Sequence, residues 1–422
     1  MTAIVGTLNR RGIAFAADSA ATLTISGKQK ITNHTNKIFA LSKKYPVGVA
    51  VYNNLDFHGV PWENLFKMYR DNHLKDNSFG ALSEYADDFW QYVSNTILPK
   101  LSQDQKFHVA VMTNGLYNET KSIAGNALSS EGLSSDTTHL FPKMIEILKG
   151  FTTDYSKGEI GEGFEGYSKE MFISYADPIV SSILTPSISD INYPTDFINV
   201  FEEALYWICM SKSNVYLNYT GIVFWGYGEE DLFPSYYHYQ VGLAFDNRIK
   251  HLKLEHYNVS NSNNACVVPF AQPDVANTVV RGIDQKLKDT ITDGVYHHFD
   301  SFRNDIKEVL RKASAPDILL NAIANINIGD MVSPFVDDLN NYIRENYTGK
   351  LLDTVALLNK EDLADMAESL VRMTCLKRHV TTDDETVGGP VDVAVITKGD
   401  GFIWIKRKHY FTPELNHHYF EK

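Results

Sequence analysis

Two periodicities divide this chain. Residues 3–8 are a short apolar and β-branched run, a turn follows at 9–12, and residues 13–17 resume the run. Residues 37–42 and 47–52 repeat the plan around a turn at 43–46. Short apolar runs punctuated by Gly and Pro predict antiparallel hairpins. From Pro61 the period changes. Trp62, Leu65, Phe66 and Tyr69 fall on one helical face, and Pro61 suits a first turn. A second helix is predicted over 82–98, turning Tyr85, Phe89, Tyr92, Val93 and Ile97 inward. Residues 114–194 carry little pattern, and 197–210 read as helix again. Strand signals return at 221–227, 236–245 and 249–252, with a turn at Asp246-Asn247. Helices are predicted around 274–283, 286–310 and 335–347. Asn359 is a good N-cap for a helix reaching Arg378, with Leu363, Met366, Ala367, Leu370 and Val371 on one face. The chain closes with strands at 391–396 and 402–405.

Composition narrows the classes. The 422 residues carry 39 Lys and Arg against 52 Asp and Glu, a net charge of −13. That balance argues against nucleic acid or an anionic membrane as a general partner. The hydrophobic fraction of 44% and charged fraction of 22% are ordinary globular values, so a disordered chain is excluded. Cys209, Cys266 and Cys375 are far apart, form no CxxC and build no disulfide framework. No leader pattern and no run of about 18 apolar residues is visible. The expectation is a soluble cytoplasmic protein.

The chemistry is concentrated at the start. The small side chain of Thr2 permits enzymatic removal of Met1. Thr2 would then carry a free α-amine beside its own hydroxyl. An α-amine titrates near ~7.7–8.0, so at neutral pH it can take the proton of that hydroxyl. One residue then supplies both nucleophile and base.

The run that follows gives this weight. Thr2-Ala3-Ile4-Val5-Gly6, then Gly12-Ile13-Ala14-Phe15-Ala16-Ala17-Asp18-Ser19-Ala20-Ala21-Thr22, resembles the N-terminus of proteasome β-type subunits. Asn36-Lys37-Ile38-Phe39-Ala40-Leu41 resembles the strand bearing that family's active-site lysine. It arrives about three residues late, in keeping with a longer hairpin around Ser26-Gly27-Lys28. Near the other end, Asp384-Glu385-Thr386-Val387-Gly388-Gly389 and the strand Val391 to Thr397 resemble the family's Asp-x-x-Ser-Gly-Gly turn and late strand. The likeness covers roughly the first 55 and last 65 residues.

The resemblance implies a set of roles. Thr2 is the nucleophile. Lys37 favours its alkoxide, and Asp18 pairs with Lys37 and keeps it charged. Asp384 orients the Thr2 amine. Thr22 lends backbone hydrogen bonds to an extended substrate strand, and a backbone N–H near Val51 and Tyr52 is the oxyanion donor. The chain also departs from the family. Val387 replaces the serine of the Asp-x-x-Ser turn, no serine stands at Val268-Pro269-Phe270, and the glycine-rich oxyanion stretch reads Gly48-Val49-Ala50-Val51-Tyr52-Asn53-Asn54. Thr386 and Gln272 are candidates for the missing hydrogen bond.

Other features invite blander readings. Gly161-Glu162-Gly163-Phe164-Glu165-Gly166 matches GxGxxG, but no strand precedes it and its glutamates would repel phosphate, so it reads as a loop. His297-His298 and His417-His418 are adjacent pairs without zinc-site spacing, and no metal or cofactor is expected. The 23 tyrosines and 23 phenylalanines fit a large core and subunit contacts.

The expected fold is therefore α+β, a four-layer αββα sandwich of the N-terminal-nucleophile (Ntn) hydrolase type, proteasome-like. Residues 1–422 should form a single domain. Its core would come from 2–112, 215–255 and 359–411, with helical or irregular insertions at 114–214 and 284–358. The expected function is a threonine-type peptidase or amidase acting on peptide or unfolded protein. A catalytically silent structural or peptide-binding subunit is the alternative. A homo-oligomer of the ring-like kind, with an unfoldase or adapter for delivery, would follow from the resemblance.

Overall fold

The computed structural model describes residues 2–25, 28–188, 194–212, 219–381 and 387–416. The chain divides into two compact units. Unit 1 takes Met1–Thr35, Val259–Thr397 and Ile403–Lys422, and unit 2 takes Asn36–Asn258 and Lys398–Phe402. Both are built on antiparallel sheets with helices, a mixed α and β architecture.

Unit 1 opens with strands β1 (Ile4–Asn9) and β2 (Gly12–Ala17), paired through a tight turn at Arg10-Arg11. Every residue of both is buried, which explains the unbroken apolar runs. Gly6 lies opposite Phe15, and a Cβ there would come within 2.9 Å of the Phe15 ring. A second hairpin follows, β3 (Ala21–Ile25) with β4 (Lys28–Thr32). Residues 26–27 between them lie outside the described residues.

Unit 2 begins with β5 (Ile38–Ala40), β6 (Val47–Asn53) and the short pair β7 (Asp56–Phe57) and β8 (Val60–Pro61). Helices α1 (Trp62–Met68), α2 (Leu82–Tyr92), α3 (Ser102–Ser130), α4 (Thr137–Tyr155), α5 (Lys169–Ile188) and α6 (Phe197–Met210) follow. Strands β9 (Thr220–Gly226), β10 (Ser235–Phe245) and β11 (Arg248–Asn258) complete a five-stranded sheet of order β11-β10-β9-β6-β5. Trp62 and Phe66 of α1 and Phe89 and Trp90 of α2 pack on Val49, Val51, Ile222 and Phe224 of that sheet. The helix expected over 82–98 leaves α geometry after Tyr92, passing through a π turn at Val93–Ile97 and a 3-10 turn at Leu98–Leu101. Pro99 has no N–H to continue the ladder there.

The patternless stretch 114–194 is mostly helix. α3 hides its helicity because its buried stripe mixes Val109, Met112 and Leu116 with Thr113 and Thr120. The Thr113 hydroxyl is satisfied by donating to Val109 O at 2.8 Å. These helices share a second core, with Phe141, Leu148, Phe172, Phe201 and Leu205 around Phe245 of β10.

The chain then returns to unit 1 through β12 (Ala265–Ala271), α7 (Pro273–Arg281), α8 (Gln285–Lys312), α9 (Asp317–Ala324), α10 (Ile328–Ile343), α11 (Gly349–Val355), α12 (Lys360–Val380), β13 (Asp392–Thr397) and β14 (Gly401–Lys406). The sheet order is β12-β1-β2-β13-β14, so strands from both ends of the chain share one sheet. β12 was not expected, because Pro269 interrupts its apolar run. It is tolerated because β12 is an edge strand whose sheet neighbour is β1. The Asn359 side chain caps α12 by accepting from Asp362 N at 2.9 Å. α12 then lays Leu363, Ala367, Leu370 and Val371 on Ala14, Ala16, Val393 and Val395.

Candidate active site

Thr2 stands two residues ahead of the start of β1 and is 5% exposed. Asp18 leaves the end of β2, the strand paired with β1. The hairpin register therefore sets Asp18 beside the residue that follows Thr2. The Ala3 N–H donates to Asp18 Oδ1 at 2.8 Å, and the Asp18 N–H donates to Ala3 O at 3.1 Å. The other carboxylate oxygen accepts from Ala20 N at 3.1 Å and from Gly388 N at 3.0 Å. Asp18 is 1% exposed, and its backbone partners satisfy both carboxyl oxygens away from water.

Ser19 extends the clamp. Its N–H donates to Gly388 O at 3.1 Å, and its hydroxyl donates to Pro390 O at 2.5 Å. Gly389 has φ +76°, and a Cβ there would meet Asn33 at 2.9 Å, so this turn depends on glycine. Val387, where the resembled family has a serine, is 3% exposed and joins the apolar cluster containing Ala3 and Val391. Gln272 Oε1 accepts from Arg378. Asp384, Thr386 and Met1 lie outside the described residues.

Thr22 is on β3, opposite Ile31. Its side-chain oxygen is enclosed and has no hydrogen-bond partner.

Three of the expected site residues belong to unit 2. Lys37 enters β5 and is 1% exposed, one of the largest fully buried side chains. Its carbonyl accepts from the Val51 N–H at 2.9 Å. That bond holds the Val51 N–H within the sheet. Tyr52 faces Gly221 of β9, and its hydroxyl bonds His238 Nε2 at 2.7 Å. Burial pushes the Tyr52 phenol well above its usual range.

Residue patterns had not marked Ala3, Ser19 or Ala20 as parts of a clamp, because backbone donors carry no side-chain signal. No protein-family profile and no curated protein sequence matches this chain. Within unit 2, a cleft of about 530 Å³ is lined by Asp87, Trp90, Glu162, Glu165 and His251. Its wall includes the GxGxxG stretch, which is a loop. Gly163 N donates to Glu165 Oε2 at 2.9 Å, His251 N to Glu162 O at 3.2 Å and Lys253 N to Glu162 Oε2 at 3.0 Å. Its glutamates serve the local backbone. Among the described residues, no group of three or more His, Cys, Asp or Glu side chains is arranged to hold a metal ion, and no helix is long and apolar enough to cross a membrane.

Proposed function

We propose that the chain is an N-terminal threonine hydrolase of the proteasome-like Ntn type, its two sheets forming the inner layers of an αββα sandwich. The observation that carries this reading is the Asp18 carboxylate, which ties Ala3, the neighbour of Thr2, to Gly388 of the late turn. In the proposed reaction, Thr2 Oγ1 attacks an amide carbonyl carbon while the Thr2 α-amine accepts the hydroxyl proton. The carbonyl becomes a tetrahedral oxyanion. Its collapse breaks the C–N bond, and the departing amine takes the proton. Water then attacks the resulting ester, again with the α-amine as base, and restores Thr2. Lys37 supplies positive charge and Asp384 orients the amine. Thr22 pairs with an extended substrate. The oxyanion donor is a backbone N–H near Val51 and Tyr52. Peptide or unfolded protein is the substrate class, delivered to a cytoplasmic homo-oligomer by an unfoldase or adapter.

Intact mass of purified protein tests the first requirement, loss of Met1. A β-lactone, an electrophile for N-terminal threonine, should then label Thr2 and fail on Thr2→Ala. Retained Met1, or an unlabelled chain as inert on peptide libraries as Thr2→Ala, would overturn catalysis. The second reading, a silent structural or peptide-binding subunit, is favoured by the burial of Thr2 and the valine at 387. It gains from those negative outcomes.

A further inference from the structure

The end of β6 is supported unevenly. Among the described residues, β5 pairs with β6 only as far as Ala50, and one further bond runs from Val51 N to Lys37 O. Beyond it, Tyr52 and Asn53 are paired on the other side, with Gly221 and Thr220 of β9. Asn53 then turns the chain at φ +68°. In the proposed reaction this strand end carries the oxyanion donor. A donor is useful only when its aim is fixed before charge develops, so the end of β6 needs a second anchor.

A chain of side chains crosses the sheet at this point. The Tyr52 ring lies over Gly221, where a Cβ would come within 2.0 Å of it. Glycine at 221 therefore opens the path that carries the Tyr52 hydroxyl past β9 to His238 Nε2 on β10, at 2.7 Å. His238 stands opposite Glu255 of β11, and its Nδ1 lies 3.3 Å from Glu255 Oε1. β11 holds one extra residue, Leu254, between the pairs Tyr239–Lys253 and His238–Glu255, and this bulge sets Glu255 in register with His238. Tyr52 and His238 are buried, whereas the Glu255 side chain is 48% exposed. A carboxylate only accepts, so the bond to Glu255 places the ring proton on Nδ1. Nε2 of the neutral ring is then a lone pair, and the Tyr52 hydroxyl donates to it. Burial, which raises the Tyr52 pKa, keeps that hydroxyl protonated.

We propose that His238 and Glu255 are positioning residues for the hydrolysis: through the Tyr52 side chain they strap the end of β6, and with it the oxyanion donor, to β10 and β11. The inference rests on the hydrolase reading. The strap stands where backbone pairing on the β5 side has run out, and it ties that end to the two strands farthest from β5. Each link depends on the next. Glu255 sets which nitrogen of His238 accepts, His238 holds the Tyr52 hydroxyl, and the Tyr52 ring fixes its own backbone. The turn after the strap is held as well, since Asn53 Nδ2 donates to Tyr219 O at 2.7 Å and the Tyr219 ring meets Tyr52 edge-on.

Amide hydrogen exchange on the full chain tests the strap without any need for turnover. His238→Leu and Tyr52→Phe should each speed exchange at Tyr52 and Asn53 by about fivefold, the worth of one hydrogen bond, and leave Val49 unchanged. His238→Gln, whose amide oxygen can accept from Tyr52, should restore slow exchange. In Met1-free protein turning over a peptide, His238→Leu should lower kcat by about tenfold and hold KM within about twofold, because an oxyanion donor acts on the transition state. His238→Gln should recover most of that loss. Exchange at Tyr52 and Asn53 that ignores His238→Leu overturns the proposal, as does an acceleration that Val49 shares equally. So does a hydrolytic chain whose kcat falls equally in His238→Leu and His238→Gln, or in neither. An inert chain whose Thr2 resists labelling, but whose strand end still loosens in His238→Leu, would strike the hydrolase reading and leave the strap standing.

Discussion

Asp18 concentrates the residue-scale argument. One buried carboxylate accepts three backbone N–H groups, from Ala3, Ala20 and Gly388. Asp18→Ala would leave three donors without an acceptor, and should cost about 3 kcal/mol or more. Calorimetry should show that loss as a lowered unfolding temperature. A temperature within a degree of wild type would mean the clamp contributes nothing. His58 gives a second test. It sits in a turn with φ +50°, its ring 4.1 Å from that of His108, and both nitrogens of its ring are buried. Burial, and then the neighbouring His108, lower its pKa to about 4, while the Asp104 carbonyl and carboxylate oppose this. Since the unfolded value is near 6.5, the unfolded chain binds the proton first. Stability is therefore full above pH 6.5 and falls as pH drops towards 4, by about 2 kcal/mol after discounting for partial exposure. His58→Asn, which tolerates positive φ, should flatten the denaturation midpoint against pH in that window. An unchanged slope would count against this role for His58.

At the scale of elements, ends and turns carry the specificity. β9 stops at Gly226, where φ is +130° and a Cβ would lie 2.0 Å from Pro46 O. Because the clash is with backbone, Gly226→Ala should destabilise by about 3 kcal/mol or more. Asn359→Ala removes only one cap bond from α12 and should cost about 1 kcal/mol. Urea titration of the two variants should rank them in that order; equal midpoints would show that the Gly226 turn relaxes. Strands β1, β2 and β6 were legible as apolar runs, and α1, α6 and α12 as single-faced helices. α3 was not, because threonines that satisfy their own hydroxyls share its buried stripe with apolar residues. β12 was hidden by a proline that only an edge strand accepts.

For the whole molecule, the decisive fact is that unit 1 is discontinuous in sequence. Its sheet has β1 and β2 in inner positions between β12 and β13. Residues 259–422 alone lack both, and α12 would lose Ala14 and Ala16 as packing partners. This fragment should show no cooperative unfolding transition, and a peptide of residues 1–35 added in trans should restore one. A sharp melt of the fragment by itself would refute that dependence. The net charge of −13 belongs to the same scale. It argues against a general electrostatic affinity for nucleic acid.

Sequence alone determined the local vocabulary: the paired apolar runs, the capped helix after Asn359, the alternation of strand and helix periods, and Thr2 as the residue whose chemistry is worth testing. Those follow from the side-chain spacing and from one residue's own functional groups, both of which are local. Tertiary structure decided what locality cannot encode. It joined the first strands to the last in one sheet, gathered backbone donors from positions 3, 20 and 388 around Asp18, and spent the Val51 N–H on Lys37. Backbone groups are identical at every position. Only the register of distant strands determines which of them meet.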